Sequence, residues 1–178
     1  MVLRLPNLTN LLTTEGKVWI APTTVIIGGV EIGTQTCIGP NSVLRGDLNR
    51  ITIGSLTSIQ EDSFIETKVT FGVIIGNRVS IGHNSILTGC RVGDGAIIGD
   101  QVSILEGAEI GEGAVIKSGT IIYQGQCIPP HVVVEGSPAK SVRSLTEEEI
   151  FRKQKYWQYV EQIWEALNNS GTKDRLTA

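Results

Sequence analysis

Aliphatic residues recur at every sixth position through most of the chain. The series runs Ile20, Ile26, Ile32, Ile38, Leu44, then Ile53, Ile59, Ile65, then Ile75, Ile81, Leu87. It resumes at Ile98, Ile104, Ile110, Ile116, Ile122, Ile128 and Val134. A period of six fits neither the 3.6-residue repeat of an amphipathic helix nor the two-residue alternation of a half-buried strand. It is the hexapeptide period of a parallel β-helix, in which short strands stack coil upon coil. Three hexapeptides close one triangular turn, and each coil buries its apolar edge only against its neighbours. The fold class expected is therefore mainly β.

The residues between the aliphatic positions support this reading. Glycine often follows the inward residue, as in Ile32-Gly33, Ile53-Gly54, Ile81-Gly82 and Ile98-Gly99, where a tight bend is expected. Small residues (Thr36, Ser42, Thr57, Ser63, Ser85, Ala108, Ala114, Thr120) stand four positions after the aliphatic one, at a crowded corner. The rhythm breaks in three places. Three extra residues lie between Leu44 and Ile53, four between Ile65 and Ile75, and one is missing between Leu87 and Ile98, around Gly89-Cys90-Arg91. Insertions in a solenoid map to loops on one side, often the functional side.

The expected organisation is an N-terminal arm over 1–19, the β-helix over 20–140, a helix over 141–170 and a disordered tail over 171–178. The segment Met1 to Thr14 reads either as a strand or arm along the first coil or as a short organelle-targeting element. Pro138 is expected to close the solenoid. Thr146 and Glu149 form a capping box before a helix with Ile150, Trp157, Val160, Trp164 and Leu167 on one stripe. Phe151, Tyr156 and Ile163 flank that stripe, which is expected to pack on the solenoid or on a neighbouring subunit.

Composition narrows the function classes. A formal net charge of −3 gives no support to nucleic-acid binding. No apolar run approaches the length of a transmembrane segment. The three cysteines, Cys37, Cys90 and Cys127, lack metal-ligand spacing and no secretory signal is read, so reduced thiols in the core are expected. The sequons at Asn7 and Asn168 carry no weight in that context, and neither does Arg45-Gly46-Asp47 as an adhesion tripeptide. Arg45 and Asp47 read as an ion pair, across coils or across a subunit boundary.

Longer motifs carry a resemblance. Val43-Leu44-Arg45-Gly46-Asp47-Leu48-Asn49, Ser58-Ile59-Gln60-Glu61, Ile75-Gly76-Asn77-Arg78-Val79-Ser80-Ile81-Gly82-His83 and Gly89-Cys90 resemble the γ-class carbonic anhydrases. Gly136-Ser137-Pro138-Ala139-Lys140 before Leu145-Thr146-Glu147-Glu148-Glu149 matches as well. The resemblance implies a left-handed parallel β-helix with a C-terminal α-helix, trimer-forming, with zinc held at subunit interfaces by three histidines. Two of these come from one subunit and one from its neighbour. It also implies that Arg45 and Asp47 make trimer-interface ion pairs and that Gln60 and Glu61 lie near the metal, the acid one methylene longer than the family's aspartate.

The ligand set is where this chain departs from the pattern. The first histidine position holds Glu66, the second is kept as His83, and the third, five residues on, holds Thr88. Catalytic zinc needs three protein ligands and an open position for water. The degenerate set Gln60, Glu61, Glu66 and Thr88 therefore implies no cofactor bound by this chain alone and no catalysis on its own, while His131 lies several coils away. Zinc is expected at one interface only if His83 is donated to a partner carrying the two missing histidines.

What the resemblance implies for function is a non-catalytic subunit of a heterotrimer of γ-carbonic anhydrase-like chains. Such a subunit would sit on the membrane arm of mitochondrial respiratory complex I, on the matrix side of the inner membrane, among that complex's membrane-arm subunits. The alternatives are a zinc-dependent carbonic anhydrase, a hexapeptide-repeat acyltransferase, and a stand-alone trimer in a bacterial cytoplasm.

Overall fold

In the computed structural model, which describes residues 2–3 and 12–169, the chain winds into a parallel β-solenoid of about seven turns followed by one helix. The solenoid has three faces. The first is built from Trp19–Ile20, Cys37–Ile38, Ser58–Ile59, Ser80–Ile81, Ile97–Ile98, Val115–Ile116 and Val132–Glu135. The second takes the leading halves of the long strands Val25–Ile32 and Val43–Ile53, then Phe64–Glu66, Ile86–Thr88, Ser103–Ile104 and Ile121–Ile122. The third takes Leu12–Thr14, the trailing halves of the two long strands, then Val73–Ile75, Arg91–Val92, Glu109–Ile110 and Cys127–Ile128.

The six-residue series becomes three ladders of stacked side chains. Ile20, Ile38, Ile59, Ile81, Ile98, Ile116 and Val134 pair in lateral register on the first face. Ile26, Leu44, Ile65, Leu87, Ile104 and Ile122 do so on the second. Ile32, Ile53, Ile75, Val92, Ile110 and Ile128 complete the third. All but Ile20 are buried, most to within 2% exposure, so the core is a continuous aliphatic column. The small corner residues lie in the same interior, where hydroxyls stitch one coil to the next. Thr36 donates to the Gly54 carbonyl at 2.8 Å, Thr57 to that of Gly76 at 2.9 Å and Ser63 to that of Gly82 at 3.0 Å. Each bond satisfies a buried hydroxyl that would otherwise be costly.

The glycines after the inward residues have a different reason from the one expected. Left-handed backbone occurs not there but two residues later, at Gln35, Asn41, Leu56, Asp62, Arg78, Asn84, Gln101 and His131 and at the equivalent glycines. The glycine directly after the aliphatic residue is a place of close approach. A Cβ at Gly54 would stand 2.6 Å from the Gly76 carbonyl carbon of the next coil.

The interruptions fall where the rhythm breaks. The strand Val43–Ile53 bulges against its neighbour, with Gly28 opposite Gly46 and Val30 opposite Ile51, which ejects residues 47–50. The second insertion turns at Lys68, whose N–H donates to the Phe71 carbonyl at 2.8 Å. The two loops lean on each other, Asn49 N–H donating to Thr67 Oγ1 at 3.1 Å. The missing residue lets Val92 take the third-face position directly, with Cys90 buried beside it.

Several expectations need correction. Residues 141–144 are not helical; Ser141–Ser144 is a strand that runs antiparallel to Val132–Glu135, and the helix α1 spans Glu147–Asn169. The arm, by contrast, packs along the first coil as the strand reading expects, Val2–Leu3 and Leu12–Thr14 pairing with Val25–Ile32. The rest of the arm, residues 4–11, and the tail beyond Asn169 lie outside the described residues. Only Cys90 is buried; Cys127 is exposed and Cys37 intermediate, since each of these precedes an inward isoleucine and so points outward. Burial pushes the Cys90 thiol up to about 12.

Helix α1 lies against the first face of its own solenoid. Its capping box forms, with Glu149 N–H donating to Thr146 Oγ1 at 3.2 Å and Thr146 N–H to Glu149 Oε2 at 3.0 Å. Arg143 grips the same carboxylate at 2.8 Å, and with the Thr146 amide holds the Glu149 pKa down to about 2. Tyr156 meets Ser80 at 2.9 Å, Arg78 pairs with Glu161 at 2.6 Å and Lys153 donates to the Gly113 carbonyl at 2.8 Å. Trp157 and Trp164 are buried as the stripe requires, but Ile150 and Phe151 are exposed, near the helix start. No described helix is long and apolar enough to cross a membrane.

Candidate functional site

The outward-pointing residues give the three faces different characters. On the first face they are Trp19, Cys37, Ser58, Ser80, Ile97, Val115 and Val133, and α1 packs there. On the third they are Glu31, Thr52, Ile74, Arg91, Glu109 and Cys127, largely polar. On the second they are Val25, Val43, Phe64, Ile86, Ser103 and Ile121. This is an apolar stripe, yet Ile86 remains 44% exposed.

Two polar columns frame that stripe, and every candidate site residue belongs to one of them or lies beside it. At the edge adjoining the third face, Ile27, Arg45, Glu66 and Thr88 stand in lateral register on successive coils. Glu66 and Thr88 are therefore neighbours, with Thr88 Oγ1 3.5 Å from Glu66 Oε1. Arg45 pairs with Asp47 at 2.9 Å along its own strand, not across coils, because residues two apart share a face. The second carboxylate oxygen of Asp47 is buried and has no hydrogen-bond partner among the described residues.

At the opposite edge Glu61, His83, Asp100 and Ser118 recur at the second position after an inward isoleucine. His83 Nδ1 lies 2.9 Å from Asp100 Oδ1, and Nε2 lies 3.1 Å from Glu61 Oε2. Asp100 also accepts the His83 backbone N–H at 2.9 Å. Gln60 turns away, donating to Ser58 Oγ at 2.8 Å. His131 is elsewhere, lining a cleft of about 350 Å3 beside α1 with Leu145, Lys153 and Trp157.

Sequence reasoning missed two residues here. Asp100 follows Ile98-Gly99 as Asp94 follows Val92-Gly93, and both carboxylates accept a backbone N–H from the preceding coil. That recurrence was readable; the ring contact of Asp100 was not. Lys68 lies in the second insertion, and its ammonium stands 2.6 Å from Glu66 Oε1.

The donor set does not fit a zinc centre. Thr88 offers a neutral hydroxyl and Glu66 is engaged by an ammonium, which leaves His83 as the one imidazole, its Nδ1 held by Asp100 and its Nε2 near Glu61 without a hydrogen bond. Catalytic zinc needs three such ligands, and one imidazole does not supply them. Among the described residues of one chain, no group of three or more His, Cys, Asp or Glu is arranged to hold a metal ion.

The Asp100 hydrogen bond raises the His83 pKa above its ordinary 6.5, with help from the charges of Glu61 and Asp62. The same contact lowers that of Asp100. A raised histidine stabilises the fold fully below its unfolded value, and that contribution is lost as pH rises through the folded value. For Asp100 the contribution is present above its unfolded value and is lost as pH falls through the lowered one. An NMR titration should therefore place His83 above 6.5, and Asp100→Asn should bring it back toward that value. A His83 titrating below 6.5 in the unmodified chain would contradict the contact.

Comparison with known proteins agrees with this architecture. The family model "Bacterial transferase hexapeptide (six repeats)" matches residues 13–46 and 89–124. A Methanocaldococcus jannaschii protein named "Probable carbonic anhydrase" is 48% identical over 134 residues, covering 75% of this chain and 84% of that protein. "Gamma carbonic anhydrase 2, mitochondrial" of Arabidopsis thaliana is 37% identical over 142 residues, 76% of this chain but 51% of that longer protein. The crystal structure of a hexapeptide transferase family protein from Anaplasma phagocytophilum superposes with a TM-score of 0.80 at 32% identity, over 87% of this chain and 92% of that one. The chain belongs to the γ-class carbonic anhydrase-like branch of the hexapeptide-repeat proteins.

Proposed function

We propose that this chain is a non-catalytic γ-carbonic anhydrase-like subunit whose role is assembly with two further chains of the same fold. The observation that carries the reading is the second face. Its apolar stripe is framed by an Arg45–Glu66–Thr88 column at one edge and a Glu61–His83–Asp100 column at the other. Closed association around a three-fold axis sets one edge of each copy against the opposite edge of the next. The unpartnered oxygen of Asp47 then meets a neighbour's donor, and the degenerate ligand positions come to a subunit junction without a competent metal set.

The partners in this reading are γ-carbonic anhydrase-like subunits. The proposed setting is a mitochondrial heterotrimer on the membrane arm of respiratory complex I, on the matrix side; the name of the Arabidopsis relative supports its mitochondrial part. In that setting His83 offers a partner's zinc site its Nε2, which makes no hydrogen bond to Glu61, while Asp100 holds Nδ1. A self-associated trimer in a prokaryotic cytoplasm is the second reading, supported by the higher identity and coverage of the archaeal relative.

Native mass, zinc content and carbon dioxide hydration of the purified chain test the proposal together. The expected result is a trimer with less than stoichiometric zinc and hydration at the uncatalysed rate. Stoichiometric zinc with catalysed hydration in particles made only of this chain would refute it. Affinity capture from the native source decides the setting: sister chains and complex I subunits in one case, copies of this chain in the other.

A further inference from the structure

Position 66 carries a carboxylate beside an apolar interface stripe, and an uncompensated charge there would oppose the burial of that stripe. The chain supplies the compensation itself. Lys68 stands two residues on in the same insertion, with its ammonium 2.6 Å from Glu66 Oε1. Thr88 Oγ1 approaches the same oxygen from the next coil at 3.5 Å. The Lys68 side chain is only 37% exposed and that of Glu66 20%, so the pair is less screened than a surface ion pair.

The loop is built to hold this lysine. Its backbone N–H closes a turn onto the Phe71 carbonyl at 2.8 Å, and the Glu66 carbonyl accepts from Gly89 N–H at 2.9 Å. Gly89 has φ +46, and a Cβ there would stand 3.0 Å from Phe71 Cβ and 3.4 Å from Lys68 Cγ. The lysine stem thus runs over a glycine whose missing side chain leaves it room. Thr70 ties the far side of the loop to Glu106 at 3.1 Å.

We propose that Lys68 is the resident cation of the subunit junction: its ammonium neutralises Glu66 beside Thr88, so that the junction assembles without a metal ion. The inference rests on the metal-free assembly role proposed above and adds the residue that makes it self-sufficient. A divalent ion at Glu66 would sit against the Lys68 ammonium on Oε1, so the lysine also acts against metal uptake.

The test compares the full-length wild type with Lys68→Met, Lys68→Arg and the double variant Glu66→Gln/Lys68→Met, each with and without zinc chloride. Thermal midpoint and native mass are the readouts. Lys68→Met should lose roughly 2–5 °C in midpoint, or part of its trimer, and recover on addition of zinc. Lys68→Arg and the double variant should stay near wild type and ignore zinc. A Lys68→Met protein that matches wild type in both readouts overturns the proposal. So does a double variant destabilised as much as Lys68→Met, because shape rather than charge would then matter. Failure of all three variants to fold counts against it for the same reason; failure of Lys68→Met alone supports it. A zinc-loaded, hydrating wild type would end the assembly reading whatever the variants do. A zinc-free wild type with a charge-insensitive position 68 would end only this inference.

Discussion

Zinc binding is expected to appear when Glu66 and Thr88 are both replaced by histidine. The two positions are lateral neighbours on adjacent coils, so their side chains leave the second face side by side. That is the arrangement in which two imidazoles reach one ion about 2 Å away. The third ligand is already present as His83, at the other edge of the same face, and a neighbouring copy would present it across the junction. The double variant should purify with roughly one zinc per chain after metal reconstitution, measured by elemental analysis. Its cobalt form should show the absorption of a four-coordinate ion. Each single variant should remain below stoichiometric occupancy, because two ligands make a labile site. Removing Lys68 from the double variant should raise affinity further, since its ammonium would then face a divalent ion with no carboxylate between them. A trimeric double variant that takes up no zinc would show that the two edges do not converge.

The largest effect on stability is expected at the centre of the first-face ladder. Ile81 is fully buried, with Ile59 stacked on one side and Ile98 on the other, and its glycine leads directly into His83. Ile81→Ala removes apolar contacts on both sides at once. The ladder cannot collapse around the gap, because backbone hydrogen bonds fix the coil spacing. The cost should be about 2–5 kcal/mol, a fall in melting midpoint of roughly 4–20 °C for a domain of this size. Denaturant unfolding monitored by circular dichroism would measure it. A cost below roughly 1 kcal/mol would mean that the coils are not closely packed. In a solenoid the damage is shared with adjacent coils, so exchange of the amide hydrogens at Ile59 and Ile98 should rise as well.

The period of six made the architecture legible because it is a property of backbone winding: every inward isoleucine read from spacing is on a ladder. The ejected loops were legible for the same reason, as residues the winding had no place for. What spacing does not encode is which outward faces are covered. Ile97 and Val115 sit under α1 while Ile86 stays exposed, although all three are aliphatic residues placed before an inward one. The left-handed residues were hidden too. Leu56 and Arg78 adopt a conformation that side chains usually avoid, since the stacked coils dictate it and override local preference.

At the candidate site the resemblance located Glu66, His83 and Thr88, and the structure explains their separation into two edges. Lys68 and the ring contact of Asp100 escaped notice because both depend on loops and coils brought together in space. A lysine two residues beyond a glutamate is unremarkable in sequence. Its meaning comes from Gly89, which belongs to the next coil.

The reversed strand Ser141–Ser144 has a consequence for the length of the object itself. A stack of parallel rungs leaves an open row of peptide groups at its end, ready to template another rung and extend into a fibre. By turning the last strand of the first face against all the others, the chain gives that side of the stack a mismatched edge. A copy stacking end to end would meet a reversed strand on one side of the triangle and parallel strands on the other two, an edge that no continuous winding matches.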